Sequence, residues 1–279
     1  MTVPNVVLND SHELPMLGLG TWPLTNAEAA QVVAQGLAAG YRLVDTATRY
    51  ANEVGIGQAL AGCGLPREAF KVTSKIRGGD QESAQLTRRA VDQSLTALGV
   101  TWLDLELIHW PLPMLDRNVA TFTVLAELQR EGLIKSIGVS NFLPSQLDRL
   151  IAETGIIPAV NQIELNPYHS QVELRQYHQA KGIVTQAWAP LGHGRSNLLN
   201  DPVVTGIAQA VGASTAQVVL AWHRQHNIVA IPKSADQQRQ QQNLASVAVV
   251  LTAEQLALLD GLDRGLSIMP ESSATHDER

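Results

Sequence analysis

Short apolar runs rich in β-branched residues alternate with longer amphipathic stretches along the whole chain. The runs predict strands over Met16–Gly20, Tyr41–Asp45, Phe70–Lys75, Leu103–His109, Ile134–Val139, Ala159–Ile163, Ile183–Trp188 and Ile228–Ile231. Between them the apolar spacing lengthens to that of a helix, over Asn26–Ala39, Asn52–Gly62, Glu82–Leu98, Asn118–Arg130, Pro144–Glu153, Gln171–Lys181 and Ser214–His226. Ahead of them all, Val6–Leu8 and a second short run near Leu14 predict a hairpin.

The strand runs are nearly continuous in apolar residues, as in a parallel sheet covered by helices. Eight of them alternating with helices predict an α/β fold: a single (β/α)8 TIM barrel domain over residues 1–279. Residues 1–15 supply an N-terminal β-hairpin, and 265–279 a polar, aperiodic C-terminal tail, either a frayed end or a loop lying over a site. A doubly wound open sheet is the competing architecture. It needs a glycine fingerprint after the first strand, and the only candidate, Gly18-Leu19-Gly20, places Pro23 where the third glycine must pack.

Composition narrows the function. At 45% hydrophobic the chain buries a large core. A net charge of -6, without a long basic run, excludes a general affinity for nucleic acid or acidic membranes. No apolar run spans a bilayer, and polar residues interrupt the first fifteen positions where a signal peptide needs an apolar stretch, so a soluble cytoplasmic protein is expected. Cys63 is the only cysteine, which leaves no intrachain disulfide and no cysteine-based zinc site. His223 and His226 stand three apart with no third ligand in view, so no metal is expected.

Asp45, Lys75 and His109 each stand where an apolar run stops, and Tyr50 follows Asp45 by five residues. In a barrel of this kind, side chains at the carboxyl ends of the strands converge on one face. Neighbouring strands lie about 4.8 Å apart, within reach of one another's side chains. A lysine beside a phenol favours the phenolate, and a carboxylate beside that lysine keeps it charged. Such a set can make a proton-transfer site, with the imidazole beside the phenol to orient or polarise a carbonyl oxygen. Taken singly, each residue also has a structural explanation: an ion pair, an apolar contact at a helix start, a satisfied core histidine. A strand-end lysine is equally the start of Schiff-base chemistry, but that needs a neutral amine and Asp45 favours the charged one.

The stretches carrying these groups are Gly18–Trp22, Gly40–Glu53, Thr73–Lys75 and Leu107–Pro111. With Lys135–Phe142, Asn161–Pro167, Trp188–Gly192 and Ile231–Ser234 they resemble the aldo-keto reductases in order and across nearly the whole chain. Within that family the chain is most similar to bacterial 2,5-diketo-gluconate and methylglyoxal reductase-like members. The resemblance implies an oxidoreductase that reduces aldehydes or ketones (dicarbonyls, keto sugars or keto acids) to alcohols with NADPH. Tyr50 is then the general acid, Lys75 its partner, Asp45 the counter-ion of the lysine, and His109 the carbonyl-orienting group. Ser140, Asn141 and Gln162 would bind the nicotinamide carboxamide, Trp188 would stack on the ring, and Leu191 with the loop from Gly192 would follow the pyrophosphate. Lys233, Ser234 and Arg239 would hold the 2′-phosphate and Asn243 the adenine. A monomer acting on a small-molecule carbonyl compound is implied. A cofactor-binding regulatory subunit with slow or no turnover is the alternative.

Three positions depart from the family's pattern. Ser234 and Gln237 are spaced as a capping box opening a polar helix, and Asp236 lies between them, near the implied phosphate. A carboxylate there suits the helix dipole, but facing the phosphate it would weaken the preference for NADPH and leave NADH usable. Arg49 and Arg77 flank Tyr50 and Lys75, and either they line the pocket and favour a carboxylate-bearing substrate or both point to solvent. Trp22 and Trp110 would form the apolar wall of the pocket.

Overall fold

The chain opens with an antiparallel hairpin, β1 (Asn5–Val7) against β2 (Glu13–Pro15), with Val6 opposite Leu14. This is a computed structural model, and it describes residues 2–194 and 196–268. Eight parallel strands follow: β3 (Leu19–Gly20), β4 (Leu43–Asp45), β5 (Lys71–Ile76), β6 (Leu103–Ile108), β7 (Ile134–Ser140), β8 (Val160–Glu164), β9 (Val184–Trp188) and β10 (Val229–Ile231). They pair in chain order from β3 to β10. The sheet closes where Gly18 N donates to Ala230 O (2.9 Å), Ala230 N to Met16 O (2.9 Å) and Gly20 N to Pro232 O (3.1 Å). The expected TIM barrel with its N-terminal hairpin is the fold.

Helices return each strand to the start of the next: α1 (Asn26–Ala39), α2 (Glu53–Gly62), α3 (Ala84–Leu98), α4 (Asn118–Arg130), α5 (Pro144–Thr154) and α6 (Val172–Lys181). After β9 come α7 (Pro202–Val211) and α8 (Thr215–Gln225), and after β10 come α9 (Gln237–Ala245) and α10 (Ala253–Asp260). The apolar pattern had not marked α7 or α10. Their signals are local: Asp201 caps α7 ahead of Pro202, and Thr252 with Gln255 forms a capping box on α10.

Strand residues alternate between two cores. Leu43, Leu105, Leu107, Val160 and Ile231 fill the barrel, closed at its amino-terminal end by Val6, Leu8 and Leu14 of the hairpin segment. Val44, Val72, Ile108 and Val139 face outward and pack under helix residues such as Val33, Val91, Phe122 and Leu147. Helix α2 lies so close to α1 that a Cβ at Gly55 would collide with the Asn26 carbonyl. Asn26 also caps the approach, accepting the Gly55 N–H at 2.8 Å and donating to Ala51 O at 3.0 Å. That contact holds the loop before α2, and with it Tyr50. Of the expected tail, residues 269–279 lie outside the described residues.

Candidate active site

β4 and β5 end side by side, with Asp45 in register with Thr73 and Lys75 in register with Leu107 of β6. Asp45, Thr73 and Lys75 therefore face the barrel interior together. Lys75 Nζ donates to Asp45 Oδ1 at 2.5 Å, to Thr46 O at 2.8 Å and to Tyr50 Oη at 3.4 Å. The lysine has no solvent exposure. Burial opposes its charge, but the Asp45 carboxylate and Tyr50 outweigh that and hold its pKa above the ordinary lysine value. Gln162 Nε2 donates to the other carboxylate oxygen, Asp45 Oδ2, at 2.7 Å. The acid thus has both oxygens engaged from opposite sides of the barrel.

Tyr50 closes a one-turn 3-10 helix over Thr48–Tyr50, stopped by Ala51 in the left-handed region. The loop is pinned from three sides. Thr48 Oγ1 donates to Lys75 O (3.0 Å), and Asn52 Nδ2 donates to Thr21 O and Leu24 O (both 3.1 Å). Glu53 accepts from Ser74 Oγ (2.7 Å) and Ser94 Oγ (3.1 Å). Trp22 and His109 flank the phenol at ring-centroid distances of 5.1 and 5.7 Å. Burial, then the nearby charges of Lys75 and Arg49, push the His109 imidazole well below the ordinary histidine pKa, so it is neutral near pH 7.

The next strand ends continue the floor of the site. Asn141, left-handed at the end of β7, donates to His109 O (3.1 Å) and Ser140 Oγ (3.0 Å), and accepts Trp188 Nε1–H at 2.8 Å. Ser140 Oγ donates to Gln162 O at 2.8 Å. These contacts fix the indole and the Asn141 amide, as Asp45 and Gln186 fix that of Gln162. Above them runs a cavity of about 750 Å³, lined at one end by Trp22, Arg49, Tyr50, His109 and Trp110. Ser140, Asn141, Gln162, Trp188 and Leu191 line its middle, and Lys233 and Arg239 its far end.

Several expected residues sit elsewhere. Arg77 is not in the cavity lining: β5 ends at Ile76, the chain turns into a 3-10 helix at Gly78–Gln81, and Arg77 Nε pairs with Asp80 Oδ2 at 3.0 Å. Ser234 and Asn243 are buried beneath the far end rather than on the lining, Asn243 against the Tyr41 hydroxyl. The Ser234–Gln237 capping box does not form. Helix α9 begins at Gln237, and its N-cap is Asp236, whose carboxylate accepts the Arg239 N–H at 2.8 Å. Ser234 Oγ instead accepts the Asp236 N–H at 3.3 Å, closing a turn before the helix.

Gln186 and Asn52 belong to the site's framework and were not marked from the sequence. Gln186 Oε1 accepts Gln162 Nε2–H at 2.6 Å, and its signal was a lone amide inside the apolar β9 run. Among the described residues no cluster of three or more metal-ligating side chains occurs.

Residues 16–264 match the sequence profile of the aldo/keto reductase family. An aldo-keto reductase of Mycolicibacterium smegmatis is 44% identical over 268 residues, 96% of each chain. The 2,5-diketo-D-gluconic acid reductase B of a Corynebacterium species is 40% identical over 279 residues, 99% of each. Among solved structures, a Gox0644 variant in complex with NADPH superposes with a TM-score of 0.93 at 37% identity, over 99% of both chains.

Proposed function

Because the chain belongs to the aldo/keto reductase family, we propose that it reduces an aldehyde or ketone to an alcohol with NADP(H), using Tyr50 as the general acid. The observation that carries this reading is the buried Asp45–Lys75–Tyr50 relay, opening beside His109 onto the cavity.

The lining fits a nicotinamide dinucleotide. Asn141 and Gln162 present amides suited to a carboxamide, and the indole of Trp188, tethered through Nε1, offers a fixed aromatic face. Lys233 and Arg239 supply cations for phosphate. When bound, the reduced nicotinamide supplies the hydride. His109, neutral, orients the carbonyl oxygen toward the phenol. Tyr50 gives its proton to the oxygen as negative charge develops there, and the Lys75 ammonium stabilises the phenolate left behind. Asp45 keeps that ammonium charged and in place.

The substrate class follows from Arg49. It is exposed at the cavity rim, it makes no ion pair among the described residues, and its charge acts on His109. We propose a carboxylate-bearing carbonyl compound, a keto acid or keto sugar acid, whose carboxylate meets this guanidinium. The name of the Corynebacterium relative supports that class.

The test is oxidation of reduced nicotinamide, followed by absorbance, with a keto acid, its neutral analogue and a dicarbonyl. Wild type should turn over and Tyr50→Phe should bind cofactor without turnover. Tight binding by wild type with no turnover on any carbonyl would leave the regulatory reading in its place.

A further inference from the structure

We propose that Asp236 and Glu28 cancel the positive charge that Lys233 and Arg239 bring to the far end of the cavity, so that this chain accepts NADH nearly as well as NADPH. The inference rests on the reading of the cavity as a dinucleotide site.

The start of α9 is where an incoming phosphate would look for donors, since the first amides of a helix have no partners inside it. Here one of them, the Arg239 N–H, is already taken at 2.8 Å by a carboxylate belonging to the chain. Asp236 therefore occupies the place of an anion with a permanent one. A phosphate monoester carries about -1.5 to -2 charges at neutral pH and must settle beside that carboxylate. The cap itself does not require a charge, because Asn, Ser and Thr satisfy the same amide about as well.

A second carboxylate, from another helix, lies within electrostatic reach of Lys233. Glu28, in the first turn of α1, accepts both Thr25 N–H and Thr25 Oγ1–H at 2.8 Å, which fixes it in a capping box. Those hydrogen bonds chiefly, and the charge of Lys233 in smaller measure, hold its carboxyl below the ordinary range. Lys233 and Arg239 line the cavity; Glu28 lies within electrostatic reach of Lys233, and Asp236 holds the backbone N–H of Arg239 itself. Two cations against two carboxylates leave little net attraction for a 2′-phosphate. The same carboxylates suit a free ribose 2′-hydroxyl, which needs an acceptor where a phosphate needs donors.

Trp22 and Trp188 line the cavity, so quenching of the intrinsic fluorescence of the full chain reports binding without any chemistry. NADPH and NADH are titrated separately into wild type, Asp236→Asn and Asp236→Ser. Both variants keep a capping oxygen, and equal melting temperatures would confirm that α9 is intact. Wild type should bind the two nucleotides within about tenfold of one another, and each variant should tighten NADPH by about five- to tenfold with NADH unchanged or weaker. A wild-type preference for NADPH above about a hundredfold, or a ratio that neither variant moves, overturns the assignment. Binding of neither nucleotide would overturn the dinucleotide reading, and this inference with it. Binding of both with no turnover would separate cofactor choice from the reductase reading and leave the former standing.

Discussion

Lys75 is wholly buried and its ammonium touches three oxygens of the 45–50 segment. Lys233, at the other end of the same cavity, is exposed on a loop that leads into a helix cap. Both are lysines facing carboxylates, yet the two ends use charge differently. In the barrel mouth the partners come from β4, β5 and β8, so their geometry is set by the sheet. At the far end Asp236 caps the Arg239 backbone N–H three residues along the same segment, and Glu28 of α1 acts on Lys233 through space, with no sheet to set the geometry. A change at the first end has to disturb the fold or the chemistry. A change at the second can alter ligand choice and leave both intact.

The largest effect should come from Tyr50→Phe. Removing a positioned general acid lowers turnover by about 10²- to 10⁴-fold, and cofactor affinity should stay within a few-fold of wild type. Retained turnover would remove the proton-transfer role from this end of the cavity.

Asp45→Asn comes next and acts on stability as well. It leaves the Lys75 charge buried without its counter-ion, which costs about 3–5 kcal/mol in comparable pairs. Adding Lys75→Met should recover much of that loss, because the orphaned charge is then gone. Denaturant midpoints of the two singles and the double would show it, and additive losses would mean that the pair is not coupled. The contribution of Lys75, whose folded pKa is raised, is fully present below the ordinary lysine pKa and fades as pH climbs through the raised one.

Why one end was readable in the sequence and the other was not follows from the same contrast. A parallel strand covered by helices reads as a mostly apolar run, so Asp45, Lys75 and His109 stand out where those runs stop. Arg77 shows where that logic breaks. Two residues after Lys75 it shares the strand's parity, but the strand has ended, and Asp80 captures the guanidinium in the turn. Helix α9 shows another break. Ser234 and Asp236 are both good caps, and the choice between them depends on residues far along the chain. Gln240 Nε2 reaches Ser234 O at 3.0 Å and Val32 O at 3.1 Å, tying the backbone at Ser234 to α1 and leaving Asp236 to start the helix.

A smaller effect is expected just behind Lys75. Glu106 lies on the outward face of β6, fully buried, with neither carboxyl oxygen hydrogen-bonded. Burial, and the neighbouring Glu53, raise its pKa well above the ordinary carboxyl value. Below that ordinary value both folded and unfolded chains hold the proton. Above it the unfolded chain releases the proton first, so stability falls as pH rises toward the raised pKa. Glu106→Met removes a buried group without partners and should gain about 1–3 kcal/mol at pH 8, with a smaller gain at pH 5. Urea midpoints at the two pH values check it, and a gain that shrinks as pH rises would contradict the sign.

Arg49→Ala should have the smallest effect, and it separates substrate choice from catalysis. The guanidinium is exposed, so solvent screens it and its pairing with a substrate carboxylate is worth about 1 kcal/mol or less. That corresponds to a rise in KM for a keto acid of about fivefold, with kcat nearly unchanged, because the contact is the same in the ground and transition states. The neutral analogue should not respond. Raising the ionic strength to about 1 M shortens the screening length to about 3 Å and should erase the wild-type advantage. If the preference for the acid survives in high salt and in Arg49→Ala, the carboxylate is recognised elsewhere. The rim would then share the rigid, desolvated character of the Lys75 end, and the contrast between the two ends would have to be redrawn.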